Sequence, residues 1–158
     1  MSKAKDVYAT LGRLAYRAVT PFLKLYMTSK HQRVRILLLN EQEKEVLLVR
    51  SWLGHQRWSL PGGGIRRPET PLQAAVRELF EETGLRLTAD DIQELGSFIN
   101  PFVESPYTVA CFMATVPKQQ PLLARYRRLE VLDLGWFPLD GLPSNYSPIV
   151  DKALALRT

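Results

Sequence analysis

The sequence predicts an α/β (α+β) sandwich preceded by a helical arm. Two observations carry that expectation. Apolar runs of strand length lie on both sides of a capped, amphipathic helix at residues 71–83, and a second helical segment closes the chain. With 158 residues and 46% hydrophobic content, the chain suits one compact domain, residues 31–158, behind an arm of residues 1–30.

In the arm, Val7, Leu11, Leu14, Ala15, Ala18, Val19, Phe22, Leu23 and Tyr26 recur at helical spacing. Thr20-Pro21 breaks the pattern and reads as the cap and first residue of a second short helix. Residues 1–35 hold eight Lys/Arg and one acid, a balance of +7, and the remaining 13 bases and 15 acids give −2. The basic character therefore belongs to the arm, and the near-neutral body is not the footprint of a DNA-binding protein. Three roles stay open for the arm: packing on the body or on a second subunit of a homodimer, peripheral contact with an anionic membrane, or targeting. It holds no apolar run near the roughly 20 residues that span a bilayer.

Val34–Leu39 reads as a buried strand, Asn40–Glu45 as a polar turn and Val46–Arg50 as the returning strand. A loop through Trp52, His55 and Arg57 leads to Trp58-Ser-Leu-Pro and three glycines, Gly62–Gly64, which allow close backbone approach to a ligand. Thr70 as N-cap, Pro71 at the first position, Gln73 completing a capping box and Gly84 just past the end predict a helix over Pro71–Thr83. Leu72, Ala75, Val76 and Leu79 form its inward stripe. Further strands are expected at Leu85–Leu87, Leu95–Asn100, Tyr107–Val116 and Leu129–Phe137, with a basic connector before the last. Ser147-Pro148 then starts a helix that runs to about Leu156. The single cysteine, Cys111, lies in an apolar run with no companion thiol, so it reads as a core residue in a reducing cytoplasm.

The chemistry concentrates on the central helix. Glu78, Glu81 and Glu82 stand at i, i+3 and i+4, on one face. Like charges so spaced destabilise an isolated helix by a few tenths of a kcal/mol per pair, so a counter-charge is expected. Hard oxygen donors on a rigid face suit Mg²⁺ or Mn²⁺. Arg77 is placed to pair with Glu81.

Read as a pattern, Gly63, Glu69, Arg77, Glu78, Leu79, Glu81, Glu82, Gly84 and Leu85 fill every fixed position of G-x5-E-x7-R-E-U-x-E-E-x-G-U, where U is a bulky apolar residue. This stretch resembles the Nudix box. The resemblance is densest over residues 58–85 and extends in element order over 33–156, which implies a Nudix-type sandwich with a mixed sheet. It implies hydrolysis of a nucleoside diphosphate linked to another moiety, with Mg²⁺ or Mn²⁺ held by Glu78, Glu81 and Glu82 and by the carbonyl of Gly63. Arg77 matches the position that orients the glutamates, and Glu69 a structural one. Glu130, six residues before Trp136, matches a late acid found in similar proteins, and Asp133 competes for that role.

Phosphate contacts are expected from Arg35, Arg50 and Arg57 beside the glycines Gly62 and Gly63, since planar guanidinium suits a phosphoryl group. Trp52, Trp58, Phe102 and Tyr107 are candidates to stack on a base. Pro101, sixteen residues after Leu85, resembles the proline of the ADP-ribose-hydrolysing branch and leans the expectation toward such a small nucleotide substrate. The alternatives are a nucleoside triphosphate substrate in a house-cleaning role and a non-catalytic nucleotide or RNA sensor. Domains of the latter kind usually lose box glutamates, and none is lost here.

Overall fold

The computed structural model describes residues 32–40, 42, 44–51, 56–100, 103, 106–117 and 131–157. The expected arm (residues 1–30), Trp52, His55, Pro101, Phe102, Leu129 and Glu130 lie outside them. Six strands form one sheet: β1 Arg33–Asn40, β2 Glu45–Ser51, β3 Trp58–Ser59, β4 Gln93–Asn100, β5 Tyr107–Thr115 and β6 Val131–Pro138. Two helices, α1 Pro71–Thr83 and α2 Ile149–Ala155, complete the described elements, with a 3₁₀ turn at Ala89–Asp91. The sheet runs β3-β2-β1-β5-β4, and β6 pairs with β2. β1 and β5 are parallel and the other pairs antiparallel, which makes the sheet mixed.

Alternation along β1 builds two cores. Val34, Ile36 and Leu38 join Leu47, Phe112 and the Ala74, Ala75 and Leu79 side of α1. Leu37 and Leu39 face the other way and meet Val46, Leu48, Cys111 and the Ile149, Val150 and Ala153 side of α2. A fully buried leucine such as Leu79 contributes about 1.5–3 kcal/mol through this burial.

β1 and β2 pair only at Leu39–Val46 and Asn40–Glu45. Beyond that point the glycine turn takes the vacated edge of β1: Ile36 N donates to Pro61 O and Val34 N to Gly63 O, both at 2.9 Å. The site is placed by this arrangement.

Three expectations need correction. Leu85–Leu87 is not a strand; Leu85 and Leu87 pack on the α1-side core while the backbone passes on to the 3₁₀ turn without a ladder partner. The two-residue β3, too short to show any periodicity, is an element that the pattern missed. In the helix, Ala74 is fully buried, whereas Leu72 and Val76 only flank the core. Among the described residues no helix is long and apolar enough to cross a membrane.

Candidate active site

Helix α1 starts and stops as its caps dictate. Thr70 Oγ1 accepts from Gln73 N and the Gln73 side chain accepts from Thr70 N, and Gly84 closes the C-terminus at φ 74°. The glutamates then fall at fixed places opposite the glycine turn. Glu82 Oε2 accepts from Gly62 N at 2.8 Å. Glu78 lies flat against Gly63, so closely that a Cβ at residue 63 would stand 2.7 Å from Oε1. Gly62 holds φ 137° beside Val34 O, a conformation and an approach that only glycine tolerates.

Glu78 is the one charged residue among the described residues that is buried, at 8% exposure. A buried carboxylate needs a partner, and Arg77 Nη1 supplies one at 2.6 Å. The same guanidinium reaches Glu81 Oε2 at 3.2 Å, Glu69 Oε1 at 2.5 Å and Oε2 at 2.9 Å, and Gly64 O at 3.0 Å. The expected Arg77–Glu81 pair is therefore present, inside a larger hub. The hydrogen bonds from Arg77 hold the Glu69 carboxyl at about 2, well below the usual range, and Glu69 in turn raises the Arg77 pKa. Arg66, which the pattern did not single out, grips both oxygens of Glu81 at 3.3 Å. Its proximity comes from the tight Arg66–Glu69 turn, closed by Glu69 N to Arg66 O at 2.6 Å.

The remaining expected residues divide. Arg35 lies beside the turn, but Nη1 donates to Gly62 O and, at 3.2 Å, to Val34 O. Arg50 pairs with Asp133 across β2 and β6 at 3.3 Å and lies 5.2 Å from the Trp58 ring. Asp133 is therefore engaged with Arg50, not with the α1 carboxylates. Arg57 is exposed ahead of β3. Trp58 packs edge-on to Phe137, and Tyr107 carries Arg33 on its ring face. Glu130 and Phe102 fall outside the described residues. Cys111 is buried, which pushes its thiol up to about 11.

Among the described residues no three acidic, histidine or cysteine side chains already converge as a cation cluster. The donor set nevertheless suits a hard divalent ion. Glu78 and Glu82 both meet the glycine turn from α1, and Glu78 fills the space that a Cβ on Gly63 would take. Gly63 O accepts one hydrogen bond from Val34 N and keeps a second lone pair.

The NUDIX domain model matches residues 29–156. The chain belongs to the Nudix family. It is 31% identical over 112 residues to m7GpppN-mRNA hydrolase dcap-2 of Caenorhabditis elegans, a match covering 69% of this chain and 14% of that protein. It is 49% identical over 49 residues to the RNA pyrophosphohydrolase of Thioalkalivibrio sulfidiphilus, covering 31% of this chain and 28% of that one. The chain thus spans less than a third of the length of these curated relatives. The MutT NUDIX hydrolase from Burkholderia pseudomallei superposes with a TM-score of 0.65 at 23% identity, covering 80% of this chain and 98% of that one, and shares the fold.

Proposed function

We propose that this Nudix chain is a divalent-metal-dependent pyrophosphohydrolase, cleaving the phosphoanhydride of a nucleoside diphosphate linked to another group. The observation that carries the reading is the seating of Glu78 and Glu82 on Gly63 and Gly62, with Arg77 fixing Glu78, Glu81 and the turn together. Glu78, Glu81 and Glu82, with the Gly63 carbonyl, would hold Mg²⁺ or Mn²⁺. Once bound, that ion neutralises the diphosphate and acidifies a water.

The chain's own residues do the rest. Arg77 keeps the carboxylates in register. A box glutamate, or Glu130, takes the proton of the attacking water. Arg35, Arg50 and Arg57 are the proposed phosphate contacts, and Phe102 is the proposed stacking residue.

An ADP-ribose-like compound is the first substrate to test, with nucleoside triphosphates as the alternative. The names of the two relatives add an m7GpppN-mRNA and an RNA pyrophosphate to the panel. A cytoplasmic setting, a homodimer and a membrane contact through the arm remain proposals. The test is product release from this panel with Mg²⁺ or Mn²⁺, by wild type and Glu82→Gln. Turnover by wild type and a loss of at least 10²-fold in the variant supports the reading; nucleotide binding without turnover by either protein overturns it in favour of a sensor.

A further inference from the structure

The two halves of the α2-side sheet face are covered unequally. Helix α2 buries Ile149, Val150 and Ala153 in the core that it shares with Leu37 and Leu39 of β1. Further along the same face, β5 and the edge strand β4 present Tyr107, Met113, Leu95 and Phe98, and all four are only half-buried. Among the described helices, α1 packs on the opposite side of the sheet and gives them no cover. A sheet face with apolar side chains left half in water is stabilised by a further layer, and an amphipathic helix is the usual one.

The chain itself holds a segment of the right chemistry, length and point of attachment. It enters the sheet at Arg33, which pairs with Val109 of β5, and Val109 pairs with Phe98 of β4. Gln32 is already anchored there, its carbonyl accepting from Ile65 N at 3.4 Å. From β1 to β4 is two strand spacings, about 10 Å, and the six steps from Tyr26 to Gln32 reach roughly 20 Å when extended. The apolar stripe of the arm runs from Val7 to Tyr26 and measures at most about 30 Å as helix, against about 26 Å for the eight residues of β4. Laid back along β4 from the Phe98 end, it brings Lys3 and Lys5 to the start of that strand. Three exposed acids, Asp90, Asp91 and Glu94, stand there, whereas residues 1–30 carry six Lys/Arg and one acid. From this match of face, length and charge, we infer that residues 1–30 fold back over β4 and β5 of their own body, apolar stripe on Phe98 and Leu95, basic start on the acids before β4. Of the roles open to the arm, this one takes the place of a membrane contact or a second subunit.

Trypsin reads the docking on the full chain, because Arg13 and Arg17 lie inside the stripe. Cleavage there should be at least tenfold slower in wild type than in Leu11→Asp/Leu14→Asp, a variant that alters the arm alone; equal rates overturn the inference. Phe98→Asp should free the arm to the same extent. Ile99→Asp is the control, since Ile99 is 66% exposed and projects from the opposite face of β4, so its arm should stay protected. Release of the arm by Ile99→Asp as fast as by Phe98→Asp overturns the choice of face. Should Phe98→Asp not fold, carbodiimide cross-linking of wild type decides: Lys3 or Lys5 should join Asp90, Asp91 or Glu94 within the monomer band. No such link, or one found only between two chains, overturns the inference, as does protection that appears only when phosphatidylserine vesicles are added.

Discussion

Replacing Gly63 by alanine tests the site without touching a charge. The new Cβ would stand 2.7 Å from Glu78 Oε1, 2.8 Å from Cδ and 3.0 Å from Oε2. Ordinary contacts between such atoms begin near 3.5 Å, so the carboxylate has to retreat by roughly 0.5–1 Å. The backbone at residue 63, unlike that at residue 62, lies outside the left-handed region, so alanine itself is tolerated. The strain falls on the far end of a side chain rather than on backbone, and the cost to folding is about 1 kcal/mol, the worth of a weakened hydrogen bond. Catalysis is less forgiving: a misplacement of about 1 Å is worth on the order of 10²-fold in rate, or about 2.7 kcal/mol of transition-state stabilisation. The assay pairs kcat/KM on the best panel substrate with a thermal melt. Gly62→Ala is the contrast, because its Cβ would meet Val34 O at 2.2 Å from a φ of 137°; strain of about 1–3 kcal/mol then appears in the melt as well. A Gly63→Ala protein within threefold of wild-type kcat/KM would refute the claim that the Glu78 carboxylate works from its seat on the turn.

Three further outcomes are expected. Glu69 is held at about 2 against an ordinary 4.5, so its ion pair with Arg77 stabilises fully above about pH 4.5 and is lost as pH falls toward 2. The melting temperature of wild type should therefore exceed that of Glu69→Gln at pH 6, with the gap closing across that acid window; a gap independent of pH contradicts the pairing. Thr70→Ala removes the acceptor for Gln73 N and should destabilise by about 1 kcal/mol in urea while leaving KM unchanged. Cys111, with a thiol pushed up to about 11, should resist alkylation at pH 8 in the native protein and react in urea; fast native labelling contradicts its burial.

How much of this the sequence disclosed follows from how local each determinant is. Thr70, Pro71, Gln73 and Gly84 act within one turn of the backbone, and both ends of α1 fall where they predict. The apolar run of β1 was equally legible, because a strand buried on both faces needs continuous hydrophobicity. The Arg77–Glu81 pair is an i,i+4 contact and follows from helix geometry. The contacts that escaped are the long-range ones. Arg35 to Gly62 spans 27 residues, and Arg66 to Glu81 spans 15. Arg33 gave no pattern signal; its place over Tyr107 depends on the parallel pairing of β1 with β5. Leu85–Leu87 misled because packing two leucines under a helix requires the same residues as a strand does.

The structure also explains why the precision of the site resides in β1 rather than in the acidic helix. β1 meets both halves of the site by different means. Its backbone holds the glycine turn, through Val34 N to Gly63 O and Ile36 N to Pro61 O. Its side chains Val34 and Ile36 pack with Ala75 and Leu79 of α1. The distance between the turn and the carboxylates is therefore fixed by one strand, and Arg77 and Glu82 join the two halves with Gly64 O and Gly62 N. A core substitution such as Ile36→Ala would loosen both attachments at once. The parting of β1 from β2 after Leu39 and Asn40 is what admits the turn, so the short pairing in that hairpin is a condition of the site and not a defect of the sheet.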